Sequence, residues 1–302
     1  MLDHHFTRNC LASAILSLLL TVSASAQNNR SFVAITGNDS NTCSAAAFCR
    51  TFTRALAVTN SEGEIVVVDS GGYGPATISQ PVTISAVGIV ASITQTTSGQ
   101  NGFTINTSGN VTLDGLSLHG QGVGAQGILV QNVGLLFLNN MSADGFTENG
   151  LEVAGGSVYV EGSAFNLNGF NGIALDSGQT AYVHNTTLAK NGDAGFLLGS
   201  GTAVIVDSSA RANPHGFQVG YPATPGSGGK LDLIRDESVF NTIGLITNSA
   251  LSAIRLSYCI IAENGTNSFQ IVAGGTITGT NPGSNVIVGT GVGTLGTPTS
   301  LQ

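Results

Sequence analysis

Along most of the chain, apolar residues alternate with polar ones in very short runs, each bounded by glycine, asparagine or serine. The stretch NGFNGIALDSG, residues Asn168 to Gly178, shows the unit: two Asn-Gly pairs, then Ile173-Ala174-Leu175. A period of two buries one face of a short strand, and Asn-Gly pairs tolerate the left-handed backbone of tight turns. Alone, the stretch reads as half of a hairpin. It is not alone. Phe103-Thr104-Ile105, Ile128-Leu129-Val130, Leu151-Glu152-Val153, Phe196-Leu197-Leu198 and Phe217-Gln218-Val219 also follow a glycine, and from Gly102 onward these glycines step by 25, 23, 22, 23 and 21 residues. Later copies come at Gly244 and Ser268, after steps of 28 and 24, the longer step holding the Pro/Gly-rich YPATPGSGG that begins at Tyr221.

A second motif runs between these copies, as Leu136-Phe137-Leu138, Val158-Tyr159-Val160, Ala181-Tyr182-Val183, Val204-Ile205-Val206 and Ile254-Arg255-Leu256, followed by a shorter third one such as Ala164-Phe165. Two or three strands in a period of about 22–23 residues, with no helical pattern inside it, predict one coil of a solenoid. A leucine-rich repeat would show its leucine signature, and a sandwich would lack equivalent positions at a fixed distance. The expected fold is all-β, a single-stranded parallel β-helix, with a right hand from the crossover preference of parallel strands. The recurring glycines are read as the corner at which each coil bends.

Solenoid ends need covering. Ser44 to Asn60 is amphipathic, with Phe48, Phe52, Ala55 and Leu56 on one face, and predicts an N-terminal capping helix ahead of a first strand at Glu64 to Asp69. The expected organisation is residues 27–63 as N-terminal segment and cap, 64–290 as β-helix and 291–302 as tail. Residues 1–26 carry Arg8, an apolar run from Leu11 to Val22 and Ala24-Ser25-Ala26, the marks of a cleaved secretory signal. No later apolar run is long enough to predict a transmembrane helix. A secreted or periplasmic chain is the expectation, and in that compartment Cys43 and Cys49 are close enough to pair, leaving Cys259 as a buried thiol.

These residues resemble a family. The segment CSAAAFCRTFTRALAVTNSEGEIVVVDSGGYGPATISQPVTI, Cys43 to Ile84, followed by the glycine-led coils, is similar to secreted bacterial right-handed β-helix repeat proteins of the pectin-lyase-like superfamily. The resemblance implies the fold along nearly the whole mature chain. It does not imply one activity, because the superfamily joins lyases, hydrolases, epimerases, adhesins and members without a known reaction.

The net charge of −8 argues against nucleic acid as a partner, since such partners call for basic patches. Hydrolases of the superfamily carry Asn-Thr-Asp, Asp-Asp, Gly-His-Gly and Arg-x-Lys stretches, none of which occurs; Asn213-Pro214-His215 approaches an epimerase Asp-Pro-His but has an amide where the acid belongs. Stacking of coils supplies two candidates instead. Glu152 and Asp176, diagonal on adjacent coils, form a carboxylate pair for glycoside hydrolysis or lysis, against the plainer reading of two solvated charges. On the second strand row, Phe137, Tyr159 and Tyr182 align, and two positions on so do Asn139, Glu161, His184, Asp207 and Arg235. Tyr159, Tyr182, Glu161, His184 and Asp207 are the candidate carbohydrate-binding residues, against the plainer reading of a self-stabilising ladder. A third row, Asn140, Asn185, Ser208 and Asp236, is read as inward groups satisfying a corner. The residues favour a non-catalytic exported scaffold that binds extracellular polysaccharide or serves the envelope, with no cofactor or metal; the alternative is a polysaccharide lyase or glycoside hydrolase working from the first strand row.

Overall fold

The computed structural model describes residues 27–222, 224, 226–279 and 284–296, so the expected signal segment and the last six residues lie outside it. Three parallel sheets of eleven, ten and ten strands run along the molecule. Each coil contributes one strand to each, as in Ser157–Glu161, Ala164–Asn166 and Ile173–Leu175. We call these the long, middle and closing sheets, in the order the chain meets them. Apolar residues of all three meet inside. Ile173 is fully buried and pairs in register with Leu151 on one side and Phe196 on the other, as the alternation requires.

Two kinds of corner shape the coils. The corner into the middle sheet is one left-handed residue, at Asn140, Gly162, Asn185, Asp207 and Arg235. Just after it comes an inward polar row: the Ser208 Oγ accepts the Thr186 N–H at 3.0 Å, and the Asp236 carboxylate accepts the Ser208 N–H at 2.7 Å and the Ile234 N–H at 2.8 Å. Burial pushes the Asp236 carboxyl up to about 7, against the pull of those two donors. The inward row is therefore Ser163, whose Oγ accepts the Met141 N–H at 3.1 Å, with Thr186, Ser208 and Asp236. Asn140 and Asn185, expected in it, are exposed corner residues one position earlier.

At the corner into the closing sheet, Asn168, Asn191, Asn213, Asn241 and Asn264 form a ladder in which each side-chain carbonyl after the first accepts the backbone N–H of the preceding asparagine, while that of Asn168 accepts the Phe146 N–H. The glycines of the repeat do not bend the chain as expected. Gly102, Gly127, Gly150, Gly172 and Gly195 lack positive φ; a Cβ on any of them would come within 2.8 Å of the next coil's glycine carbonyl, at 2.4 Å for Gly127. What recurs is a close approach of backbone to backbone.

The cap is shorter than expected. The helix spans Phe52–Val58, with Thr51 as N-cap, and buries Phe52, Ala55 and Leu56. Phe52 packs on Tyr73 and Phe103, with ring centroids 5.3 and 5.8 Å away. Residues 44–51 are not helical, because Cys43 and Cys49 form a disulfide with their Cα atoms 4.7 Å apart. Six helical residues would rise about 9 Å, so bridge and helix exclude one another over that span. The strand expected at Glu64 starts at Thr59, and Asn28–Val33 pairs with it as an edge strand that the sequence did not reveal. Cys259 is buried, and burial pushes its thiol up to about 11.

Candidate functional site

Outward positions on the closing sheet form a row through Thr104, Leu129, Glu152, Ala174, Leu197 and Gln218. Near its middle the Glu152 carboxylate accepts hydrogen bonds from the Gln126 amide at 2.6 Å and the Asn149 amide at 2.8 Å. Gln126 also donates to Glu148 at 3.0 Å, and its own carbonyl oxygen, in a side chain more than nine-tenths buried, finds no donor. Burial raises the Glu152 pKa, opposed by the Asn149 hydrogen bond and helped by the charges of Asp176 and Glu148.

Asp176 follows the next closing-sheet strand and accepts a hydrogen bond from the Tyr221 hydroxyl at 3.1 Å. Tyr221 lies on Ala174, Ala194 and Leu197, and burial together with Asp176 raises its phenol pKa. The charge of Asp176 thus reaches Glu152, as their diagonal placement requires. No basic side chain figures among the groups acting on Glu152 or Tyr221. Toward the N-terminal end of this face opens a cavity of about 550 Å³, lined by Thr53, Pro75, Ala76, Thr77, Gln95, Thr97, Gln100, Asn101 and Thr104. It holds no charged residue. It connects to the carboxylates through Asn101, which donates to the Thr104 hydroxyl at 3.1 Å and accepts the Gln126 N–H at 3.2 Å.

The outer face of the long sheet is built differently. Phe137, Tyr159 and Tyr182 share one row, as expected. The Tyr159 and Tyr182 centroids are 5.1 Å apart with planes 15° from parallel, and Phe137 lies 6.1 Å from Tyr159 at 46°. Near-parallel rings so close cannot lie side by side in one plane; they overlap in an offset stack, and the faces between them are covered. Two positions on, Asn139, Glu161 and His184 align, but the register partner of His184 is Val206. Asp207 and Arg235 stand one residue later, on the left-handed corner, because Val204 and not Ile205 is the register partner of Tyr182.

Contact survives that offset. His184 Nδ1 lies 2.8 Å from Glu161 and Nε2 lies 3.3 Å from Asp207, whose carboxylate meets Arg235 through two 2.6 Å contacts. The hydrogen bond to Glu161 is the main reason the His184 pKa is raised, and the hydrogen bond from Arg235 is the main reason that of Asp207 is lowered. Gln126, Asn149 and the neutral cavity were missed in the sequence. The signal for the two amides was present in the Asn or Gln that precedes each of Gly102, Gly127, Gly150 and Gly172, read there as turn chemistry.

Among the described residues, no group of three or more His, Cys, Asp or Glu could hold a metal ion, and no helix is long and apolar enough to cross a membrane. Residues 58–211, just over half of the chain, match the family model described as the right handed beta helix region, so the chain belongs to the right-handed β-helix family. Its fold is the pectin-lyase-like one. The crystal structure of pectate lyase Pel9A is similar over 86% of this chain and 80% of that chain, with TM-score 0.56 and 17% identity. A rhamnogalacturonan lyase is similar over 82% of this chain and 75% of that one, with TM-score 0.54 and 13% identity. At such identities the likeness is one of fold. No curated protein matches the chain.

Proposed function

We propose that this chain is an exported β-helix that binds extracellular carbohydrate along the outer face of the closing sheet and does not cleave it. The observation that carries the reading is the uncharged cavity of about 550 Å³ at the head of that face, whose amides and hydroxyls suit sugar hydroxyls. The Cys43–Cys49 disulfide supports an oxidising compartment. Against cleavage stands the state of the carboxylates: Glu152 and Asp176 are occupied by protein donors, and among the described residues no lysine or arginine is hydrogen-bonded or ion-paired to either as a lyase base. Three carboxylates in one stretch favour a neutral glycan over an acidic one. The test is a panel of neutral and acidic polysaccharides, scored for binding and for new reducing or unsaturated ends. Binding of a neutral glycan without new ends is expected, and new ends would overturn the non-catalytic part.

One observation favours a glycoside hydrolase: Glu152 holds its proton more tightly than an ordinary glutamate and has a second carboxylate beside it, the pairing of acid and base that such hydrolysis uses. That reading requires new reducing ends that vanish when Glu152→Ala and Asp176→Ala are combined.

A further inference from the structure

The two ends of the solenoid are finished differently. At the first, the edge strand Asn28–Val33 is itself covered: the Phe32 N–H donates to the Cys43 carbonyl at 2.8 Å, and the Phe32 carbonyl accepts the Cys49 N–H at 3.0 Å. The disulfide ties that loop, and the helix Phe52–Val58 buries Phe52 beside it. This end is closed by its own chain. At the other end the three sheets stop at Thr276–Gly279, Val286–Ile287 and Gly291–Val292, each paired with the coil before it. Among the described residues only Gly296 adds a backbone bond beyond them, its N–H donating to the Ile277 carbonyl at 2.9 Å.

The Val286 and Val288 N–H groups donate back to the carbonyls of Cys259 and Ile261, both at 2.9 Å, so the N–H and C=O of Ile287, between them, face the open side. The core is open there too. Ile261 is fully buried, whereas Ile287, its register partner on the final coil, is only partly so, and Val286, Val288 and Val292 stand about half exposed on the rim. Charge or proline usually protects such an edge, and the three end strands have neither. No Asp, Glu, Lys, Arg or His occurs after Glu263. Two chains of net charge −8 repel one another, and this end adds nothing to that repulsion at contact.

We infer that the final coil is an interface on which a second copy of this chain stacks end to end. Three strand edges set around one core are matched together by another coil of the same section, and with the first end closed it is the identical final coil that supplies one. The pair is therefore two-fold, with the edge strands antiparallel across the contact and Val286, Val288 and Val292 buried between the copies. Association stops at two. The contact lies at the end of the rod, away from both outer faces, and stands whether or not the closing sheet binds carbohydrate.

The test is sedimentation velocity of the full chain over roughly 1–100 µM, a range suited to a small interface, repeated with Val286→Lys and Val288→Lys combined and with Val90→Lys, a change at an exposed valine near the first end. A monomer–dimer equilibrium is expected, the dimer sedimenting as a rod of about twice the ~50 Å that eleven stacked strands span. The paired lysines should weaken it by about tenfold or more, and Val90→Lys should leave it unchanged. Hydrogen exchange on the wild type needs no variant to fold: the Ile287 amide should gain protection as concentration rises, and the Asn28–Val33 amides should not. A monomer throughout, as would follow if residues 297–302 cover the end themselves, would overturn the interface. So would association that is lost in Val90→Lys and kept with the paired lysines, or growth past the dimer into filaments, which requires a head-to-tail contact.

Discussion

The outer faces of the long and closing sheets come from the same coils, yet they handle their polar side chains in opposite ways. On the long sheet the side chains satisfy one another along the axis: Tyr182 covers Tyr159, and Glu161, His184, Asp207 and Arg235 form a chain of alternating charge. On the closing sheet like charges gather at Glu148, Glu152 and Asp176, two amide carbonyls of the row and its rim, those of Gln126 and Gln218, are left without a donor against one on the long sheet, at Gln179, and an uncharged cavity opens beside them. A row that completes itself has little to offer a ligand. Unmet hydrogen-bonding capacity marks the face where a partner would contribute most.

The largest effect tests the register on which the comparison depends. Ile173→Asp would put an unpaired charge between Leu151 and Phe196, at a cost above ~4 kcal/mol, and thermal unfolding should show the native transition lost or greatly lowered. An unaltered melting curve would mean that the two faces are exchanged. Asn191→Ala comes next. It strips the Asn168 N–H and the Phe165 carbonyl of their partners at the corner leading into the closing sheet, a loss of about 1–3 kcal/mol by denaturant titration.

Glu152→Gln should act in the other direction. The raised folded pKa means that stability from this group is present below its ordinary value of 4.5 and is lost as pH rises through the folded value. The variant should therefore melt at or above the wild-type temperature at pH 7 and match it at pH 4. On the long sheet, Tyr159→Ala with Tyr182→Ala removes stacking worth ~0.2–1 kcal/mol per neighbouring pair, a small drop in melting temperature. The smallest effect belongs to His184, whose nuclear magnetic resonance titration should give a pKa above ~6.5. Its stabilisation is complete below that value and fades as pH rises through the folded one; an unshifted or lowered pKa would contradict the Glu161 contact.

The coil itself was legible because alternation and spacing are properties of single residues and of their distance in sequence. Ile173, Tyr159 and Tyr182 fell where the pattern put them. A one-residue frame was less legible: in Val204-Ile205-Val206 all three residues are apolar, so alternation could not choose between Val204 and Ile205, and Asp207 was placed one position early. The disulfide and the long helix were each plausible locally, and only the geometry of a closed loop shows that residues 44–51 could not serve both. The neutral cavity was out of reach, because Thr53, Gln95 and Thr104 become neighbours only through the stacking of coils.

The most direct test of the contrast between the faces is calorimetric binding of a neutral oligosaccharide found on the panel, compared among wild type, Thr104→Arg and the Tyr159→Ala, Tyr182→Ala double variant, all with folding verified by circular dichroism. Thr104→Arg places a long charged side chain at the lining of the cavity. The account predicts that it abolishes binding while the tyrosine variant binds like wild type. Binding lost in the tyrosine variant and retained in Thr104→Arg would contradict it and move the carbohydrate site to the long sheet.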